Sequence, residues 1–215
     1  MVHYIRGIVA KADNVPARKL RVGHAGTLDP FATGLLIVLI GRKYTAQAAR
    51  LLVDKSYTAD ICLDKTSSTG DPEGDIRSIK ANQKPSLTDI RQCLESFIGT
   101  SMQTPPAFSA LKVDGVRAYQ LARNNQPVKL RQRQITIHQI RLLAYDYPMI
   151  KFSVRVSSGT YIRTLAEDIG KALGRVAYTT GLIRTGIGQH SLDQAVTVRQ
   201  ITPENIRNLL KTSNL

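Results

Sequence analysis

The sequence predicts an α+β fold: a mixed, largely antiparallel central sheet flanked by helices. Three observations point there. Two stretches alternate apolar and polar residues over strand lengths. Three others carry a single apolar face at helical spacing. The elements follow one another without a steady βαβ rhythm.

In chain order, Val2, Ile5, Ile8 and Val9 recur at helical spacing, so the start reads as a helix, broken at Asp13-Asn14-Val15-Pro16. Residues 23–34 read as a Gly-rich loop with Pro30 inside it, and the apolar run 35–40 suits a buried strand. Gly41 punctuates, and residues 43–53 read as a helix. Over 56–63, Tyr57, Ala59, Ile61 and Leu63 share one face of a strand. Residues 67–74 (SSTGDPEG) are a turn cluster. Leu87, Ile90, Leu94, Phe97 and Ile98 make an amphipathic helix that stops at Gly99.

Pro105-Pro106 opens a basic segment, with a short helix expected over 116–123. Residues 135–143 and 150–156 read as strands, the second alternating through Ile150, Phe152, Val154 and Val156. Residues 160–173 form a helix with Ile162, Leu165, Ala166, Ile169 and Leu173 on one face. Thr202-Pro203 starts a last helix, Thr as N-cap and Pro at its first position. No repeat, low-complexity tract or interdomain linker interrupts the chain, so a single domain over residues 1–215 is expected.

No apolar run approaches the ~20 residues of a membrane helix. The N-terminus lacks the apolar core and cleavage site of a secretory signal. A soluble, cytoplasmic protein is expected. Cys62 and Cys93 form no CxxC pair, which argues against zinc and for reduced thiols.

Charge narrows the function. Thirty Lys and Arg face 16 Asp and Glu, a formal net of +14, and such an excess attracts polyanions, nucleic acid first. A membrane surface would call for a basic amphipathic helix or a polybasic tail, and neither is present. Residues 101–135 hold six basic residues (Lys112, Arg117, Arg123, Lys129, Arg131, Arg133) against one acid, Asp114, whereas residues 61–100 net −1. A basic segment of this kind tracks phosphates.

The stretch from Gly23 to Gly34 reads GHAGTLDPFATG. It lacks the Gly-Lys-Ser/Thr ending of a Walker loop and the GxGxxG of a dinucleotide site, and His24 and Asp29 are too few for a metal site. What remains is a loop presenting one carboxylate and one imidazole. Pro30 biases Asp29 toward an extended backbone. On these residues alone, a tight turn with a capping Asp is as good a reading as a reactive site.

GHAGTLDPFATGLL closely resembles the signature of bacterial tRNA pseudouridine-55 synthases of the TruB type. Further motifs follow in the same order. Asp54-Lys55-Ser56-Tyr57 resembles the strand with the family's active-site tyrosine. Residues 108–119 (FSALK, Gly115, RAY) resemble its RNA-gripping insertion. Residues 158–165 (SGTYIRTL) resemble the segment with its active-site arginine, and Leu182-Ile183-Arg184-Thr185 a later leucine-arginine motif whose first arginine is here Ile183. The resemblance spans roughly residues 2–200. Two family features are expected to be absent from this chain: an opening Asp-Lys-Pro-x-Gly-x-Thr-Ser segment and a small C-terminal RNA-binding domain of the PUA kind.

The resemblance implies a pseudouridine synthase fold with a thumb-like insertion at 101–135, acting on the T-arm stem-loop of tRNA at uridine 55. Asp29 would be the catalytic carboxylate. Arg163 would grip it at two points. Tyr57 would stack on the flipped uracil. His24 would fill space left by everted bases, Tyr161 and Leu182 would line the uracil pocket, and Lys112 and Arg117 would hold phosphates. Isomerisation loses no atom, so no cofactor is expected, and no metal. A monomer working without guide RNA is expected. The alternatives are a synthase acting on another RNA and a non-catalytic RNA-binding or RNA-chaperone protein of the same fold.

Overall fold

The alternating strands do form a sheet, and its neighbours are set by register. The computed structural model describes residues 1–81 and 83–210. Its first elements are α1 (Val2–Ala12), β1 (Val22–Ala25), β2 (Thr33–Gly34), β3 (Ile37–Ile40) and α2 (Arg42–Ala46). Then come β4 (Lys55–Leu63), β5 (Lys65–Ser67), β6 (Ile76–Ser78), α3 (Leu87–Ser96), β7 (Gly99–Gln103), β8 (Lys112–Val113), β9 (Val116–Arg117) and α4 (Ala118–Arg123). The last are β10 (Arg133–Asp146), β11 (Met149–Val156), α5 (Ile162–Ala172), β12 (Ala177–Ile187), β13 (His190–Ser191) and α6 (Ile206–Leu209).

Two units of internal packing emerge: Met1–Asp29, Gly34–Val53 and Thr185–Leu215 in the first, Pro30–Thr33 and Asp54–Arg184 in the second. The sheet of the second unit runs β12-β4-β11-β10-β7. The pairings β4–β11, β11–β10 and β10–β7 are all antiparallel, as the sequence led us to expect. Along β11, Ile150, Phe152, Val154 and Val156 are buried in strict alternation, and on β4 Tyr57, Ala59, Ile61 and Leu63 are buried as predicted. Against this face lie Ile90 and Leu94 of α3 and Ile162, Leu165, Ala166 and Ile169 of α5. Full burial of one such aliphatic side chain contributes ~1.5–3 kcal/mol.

Helix α3 begins with a capping box: Ser86 Oγ accepts from Asp89 N (3.1 Å) and Asp89 Oδ2 from Ser86 N (2.8 Å). Helix α5 comes so close to the start of β12 that a Cβ on Gly170 would sit 2.7 Å from Ala177 N. The helix–strand contact therefore requires a residue without a side chain there.

In the first unit, α1 packs Ile5, Ile8 and Val9 against Val22 of β1 and Ile206 of α6. Strands β1 and β3 pair antiparallel from Val22↔Ile40 to Ala25↔Ile37. A satellite cluster joins Ala25, Leu39 and Leu51. Residues Gly186 and Ile187 of β12 belong to this unit and pair with β13.

Several sequence expectations shift. Gly23 and His24 are in β1, because the partner strand β3 extends the ladder back to Val22, so the loop of the GHAGTLDPFATG stretch is shorter than its composition suggests. The helix expected over 43–53 ends at Ala46, and Ala48–Leu51 tightens into a 3-10 turn. That turn eclipses Ala48 and Leu51, three residues apart, and both join the Leu39 cluster. Val116 and Arg117 are in a hairpin strand, so the short helix starts only at Ala118. Strand β10 runs on to Asp146 by absorbing two register shifts. The final helix starts at Ile206, because Asn205 Oδ1 accepts from Thr202 N (2.9 Å) and organises the preceding turn.

Candidate active site

The GHAGTLDP stretch is held by the β1–β3 ladder. His24 lies opposite Val38 with its side chain exposed. After Ala25 the chain leaves the strand at Gly26, whose φ of 84° favours a residue without a side chain. Thr27, Leu28 and Asp29 follow outside regular structure, and Asp29 is half-buried. Asp29 is the last residue of its segment in the first unit. The next residues, Pro30–Thr33, belong to the second unit, where Phe31 and Ala32 pack on the sheet core.

Within the second unit, Tyr57 is 8% exposed on the inward face of β4. Arg163 occupies the first turn of α5, also inward. One of its partners there is a residue the sequence did not single out, Asp71 of the 67–74 turn cluster. Arg163 Nη1 lies 3.3 Å from Asp71 Oδ2, with both side chains only 4% exposed. The same Nη1 donates to Thr69 O (3.0 Å), and Nη2 donates to Phe108 O (2.8 Å). Asp71 Oδ1 accepts from Thr69 Oγ1 (2.5 Å) and from Glu73 N (3.0 Å). A buried ion pair is tolerated only when its remaining donors and lone pairs are bonded in this way. Gly70 (φ 75°) brings the turn against α5: a Cβ there would sit 3.0 Å from Glu167 Oε1 and 3.5 Å from Arg163 Cβ.

Tyr161 caps the N-terminus of α5 and is clasped by Gln103 at the end of β7. Gln103 Oε1 accepts from Tyr161 N (2.8 Å), and Gln103 Nε2 donates to Tyr161 O (3.1 Å). The Arg133 guanidinium lies 5.9 Å from the Tyr161 ring centre. Leu182 is in the sheet core at 7% exposure.

Two more cations are buried in this unit, both beyond the sequence expectation. Lys55 continues the inward alternation of β4, and its Nζ donates to Ser158 Oγ at 3.3 Å. Burial first, and then the charge of Arg184, push its ammonium below the ordinary lysine pKa against an opposing pull from Asp54. Arg184 is 1% exposed on β12. The signals were present, since Lys55 is two residues before Tyr57 and Arg184 is part of the leucine-arginine motif. Neither position announces its depth.

The insertion leaves the sheet at Gln103 and returns at Arg133, which face each other across β7 and β10. At its tip β8 and β9 form a hairpin closed by Asp114 (φ 49°) and Gly115 (φ 85°), the left-handed pair that suits a two-residue turn. Lys112 and Arg117 are directly opposite each other on this hairpin, and both are exposed. Arg117 also donates to Ala110 O. Like charges at facing positions are unfavourable unless an anion shares them. Among the described residues, no cluster of His, Cys, Asp and Glu could hold a metal, and no helix is long and apolar enough to cross a membrane.

This architecture has solved counterparts. A chain in a Cbf5-Nop10-Gar1 complex superposes with a TM-score of 0.65 at 27% identity, covering 91% of this chain and 48% of that one. A chain in an H/ACA RNP bound to a substrate RNA containing 2'-deoxyuridine gives 0.64 at 23% identity, covering 98% and 52%, a likeness of fold. This chain spans about half the length of each.

Residues 14–162 match the family described as TruB family pseudouridylate synthase (N terminal domain), and the class so defined is that of the pseudouridylate synthases. The tRNA pseudouridine synthase B of Parabacteroides distasonis is 42% identical over 194 residues, 90% of this chain and 83% of that protein. That of Bacteroides fragilis is 45% identical over 179 residues, 83% and 77% of the two chains. The chain belongs to the TruB family.

Proposed function

We propose that this chain is a tRNA pseudouridine synthase that isomerises uridine 55 in the T loop, with Asp29 as its catalytic carboxylate. The observation that carries the reading is the GHAGTLDP stretch, which sets a half-buried Asp29 at the end of a strand-anchored turn, in a chain 42% and 45% identical to two proteins named for this activity. Those relatives favour tRNA as substrate over the RNP-bound RNA of one more distant solved structure.

The reaction breaks the bond from ribose C1′ to uracil N1 and rejoins the sugar to C5, with the C5 proton released and N1 taking up a proton. One carboxylate suffices, by attack on the substrate or by deprotonating the sugar toward a glycal. The uridine must leave its stack to be reached. Tyr57 receives the base, Tyr161 and Leu182 line its pocket, and Arg163 fixes the reacting carboxylate. His24 occupies space vacated by everted bases. Lys112 and Arg117 on the exposed hairpin grip T-arm phosphates, reading shape more than sequence. Residues 1–215 act as one catalytic domain, a monomer in the cytoplasm with no guide RNA.

The test is tritium release from a T-arm stem-loop carrying 5-tritiated uridine, without guide RNA, together with pseudouridine mapping in whole tRNA. Release at position 55 is expected. Asp29→Asn should abolish it while leaving RNA affinity within a few fold. Parent-like turnover in that variant removes Asp29 from the chemistry.

A further inference from the structure

The first unit contains a cavity that none of the residues assigned above explains. It is about 460 Å³ in volume and is lined by Arg6, Arg18 and Arg21, with Gly23 and Thr45 beside them. The three arginines come from three separate pieces of chain. Arg6 is on α1, next to Ile5, which fixes that helix in its core. Arg18 is carried by the 3-10 turn Ala17–Lys19, closed by Lys19 N to Pro16 O (2.9 Å) and Leu20 N to Ala17 O (3.1 Å). Arg21 immediately precedes β1, and its carbonyl accepts from Gly41 N at 2.7 Å.

The opening is preserved at Gly23, where a Cβ would meet the Thr45 methyl at 3.3 Å. Thr45 itself is anchored, its hydroxyl donating to Gly41 O at 3.0 Å.

Charge and hydrogen bonding specify the occupant. Arg6 Nε is buried and has no hydrogen-bond partner among the described residues. A buried N–H of that kind costs stability unless a water or a ligand accepts from it. No carboxylate is among the residues that line the cavity. Asp13 is engaged by Arg207 at 2.7 Å. Three arginines line one hollow that no acid shares, and an anion with several acceptor oxygens suits that charge.

We propose that this cavity is a phosphate subsite that takes a phosphodiester group of the substrate RNA, separate from the nucleoside that is isomerised. The inference rests on the RNA reading above for the owner of the phosphate; the anion chemistry follows from the cavity itself. It places a fixed contact in the first unit, on the strand that leads into the GHAGTLDP turn.

The experiment measures equilibrium binding of a T-arm stem-loop by filter retention across a salt series. It compares the parent with Arg18→Gln/Arg21→Gln, whose altered side chains are exposed, and with Arg6→Gln. Circular dichroism and the thermal midpoint verify folding, and Arg18→Lys/Arg21→Lys serves as a charge-retaining control. Loss of a phosphate contact flattens the slope of log affinity against log salt by about 0.7–0.9. The Gln variants should show that flattening with several-fold weaker binding, and the Lys control should keep the parental slope. RNAs bearing single methylphosphonate linkages should weaken the parent at one linkage to which the Gln double variant is indifferent.

Parental affinity and slope in folded Gln variants would overturn the subsite. So would protection of the parent by inorganic phosphate with no effect of any linkage on RNA binding, which would make the cavity a free-anion site. Isomerisation by the parent is scored separately. A parent that releases no tritium refutes the enzyme, whereas unchanged slopes in an active enzyme refute the cavity alone.

Discussion

Substituting Asp71 by asparagine probes the buried pair at the foot of α5 most directly. Arg163 and Asp71 are 3.3 Å apart, each 4% exposed, and Arg163 also donates to the carbonyls of Thr69 and Phe108. Removing one partner of a buried pair costs about 3–5 kcal/mol, as the charge balance of the site is lost. An asparagine amide oxygen can still accept from Thr69 Oγ1 and Glu73 N, which places Asp71→Asn near the lower figure and Asp71→Ala near the upper. For a chain of this size each kcal/mol lowers the melting temperature by ~2–4 °C, so a fall of roughly 6–20 °C is expected. Urea denaturation of the parent, Asp71→Asn, Arg163→Gln and the double variant closes a thermodynamic cycle. A coupling of about 2 kcal/mol or more is expected between the two positions. Denaturation midpoints matching the parent in Asp71→Asn, or additive single effects in the double variant, would refute the argument.

Three further perturbations test other links. Gly170→Ala forces a methyl against the backbone of Ala177 and should cost about 1–3 kcal/mol in urea denaturation; a neutral result would mean that α5 stands farther from β12. Burial raises the pKa of Glu167, so its contribution to stability is present below its unfolded pKa and is lost as pH rises through the folded value. Glu167→Gln should therefore gain on the parent in thermal midpoint as pH is raised across that window, and a gain growing toward low pH would reverse the sign. Neutralising Lys112 and Arg117 together should weaken RNA binding and flatten its salt slope by roughly 1–2, whereas an unchanged slope would put the grip elsewhere.

What the sequence disclosed follows from the range of the forces involved. Strand β11 and helix α5 were legible because alternation and helical spacing record which face is buried, residue by residue. The Asp29 turn was legible through its resemblance to a family signature, while its residue types alone left a structural turn equally open. Asp71 was hidden because SSTGDPEG has every local mark of a surface turn, and its burial is decided by Arg163, far along the chain. Lys55 was missed because a lysine at the start of a strand reads as an exposed end, yet it points inward with Tyr57. The three arginines of the cavity come from a helix, a turn and a strand approach, so no spacing rule groups them. Helix ends shifted where a side chain reorganised the backbone, as Asn205 does before α6.

The clasp of Gln103 on Tyr161 and the bond from Arg163 to the Phe108 carbonyl bolt the root of the basic insertion to helix α5. Any swing of that arm must pivot beyond residue 108. Extra residues are therefore accommodated toward the outer hairpin, whereas lengthening the stretch between Gln103 and Phe108 would drag on the helix that holds the buried arginine. The arm can change its reach without disturbing the machinery at its base.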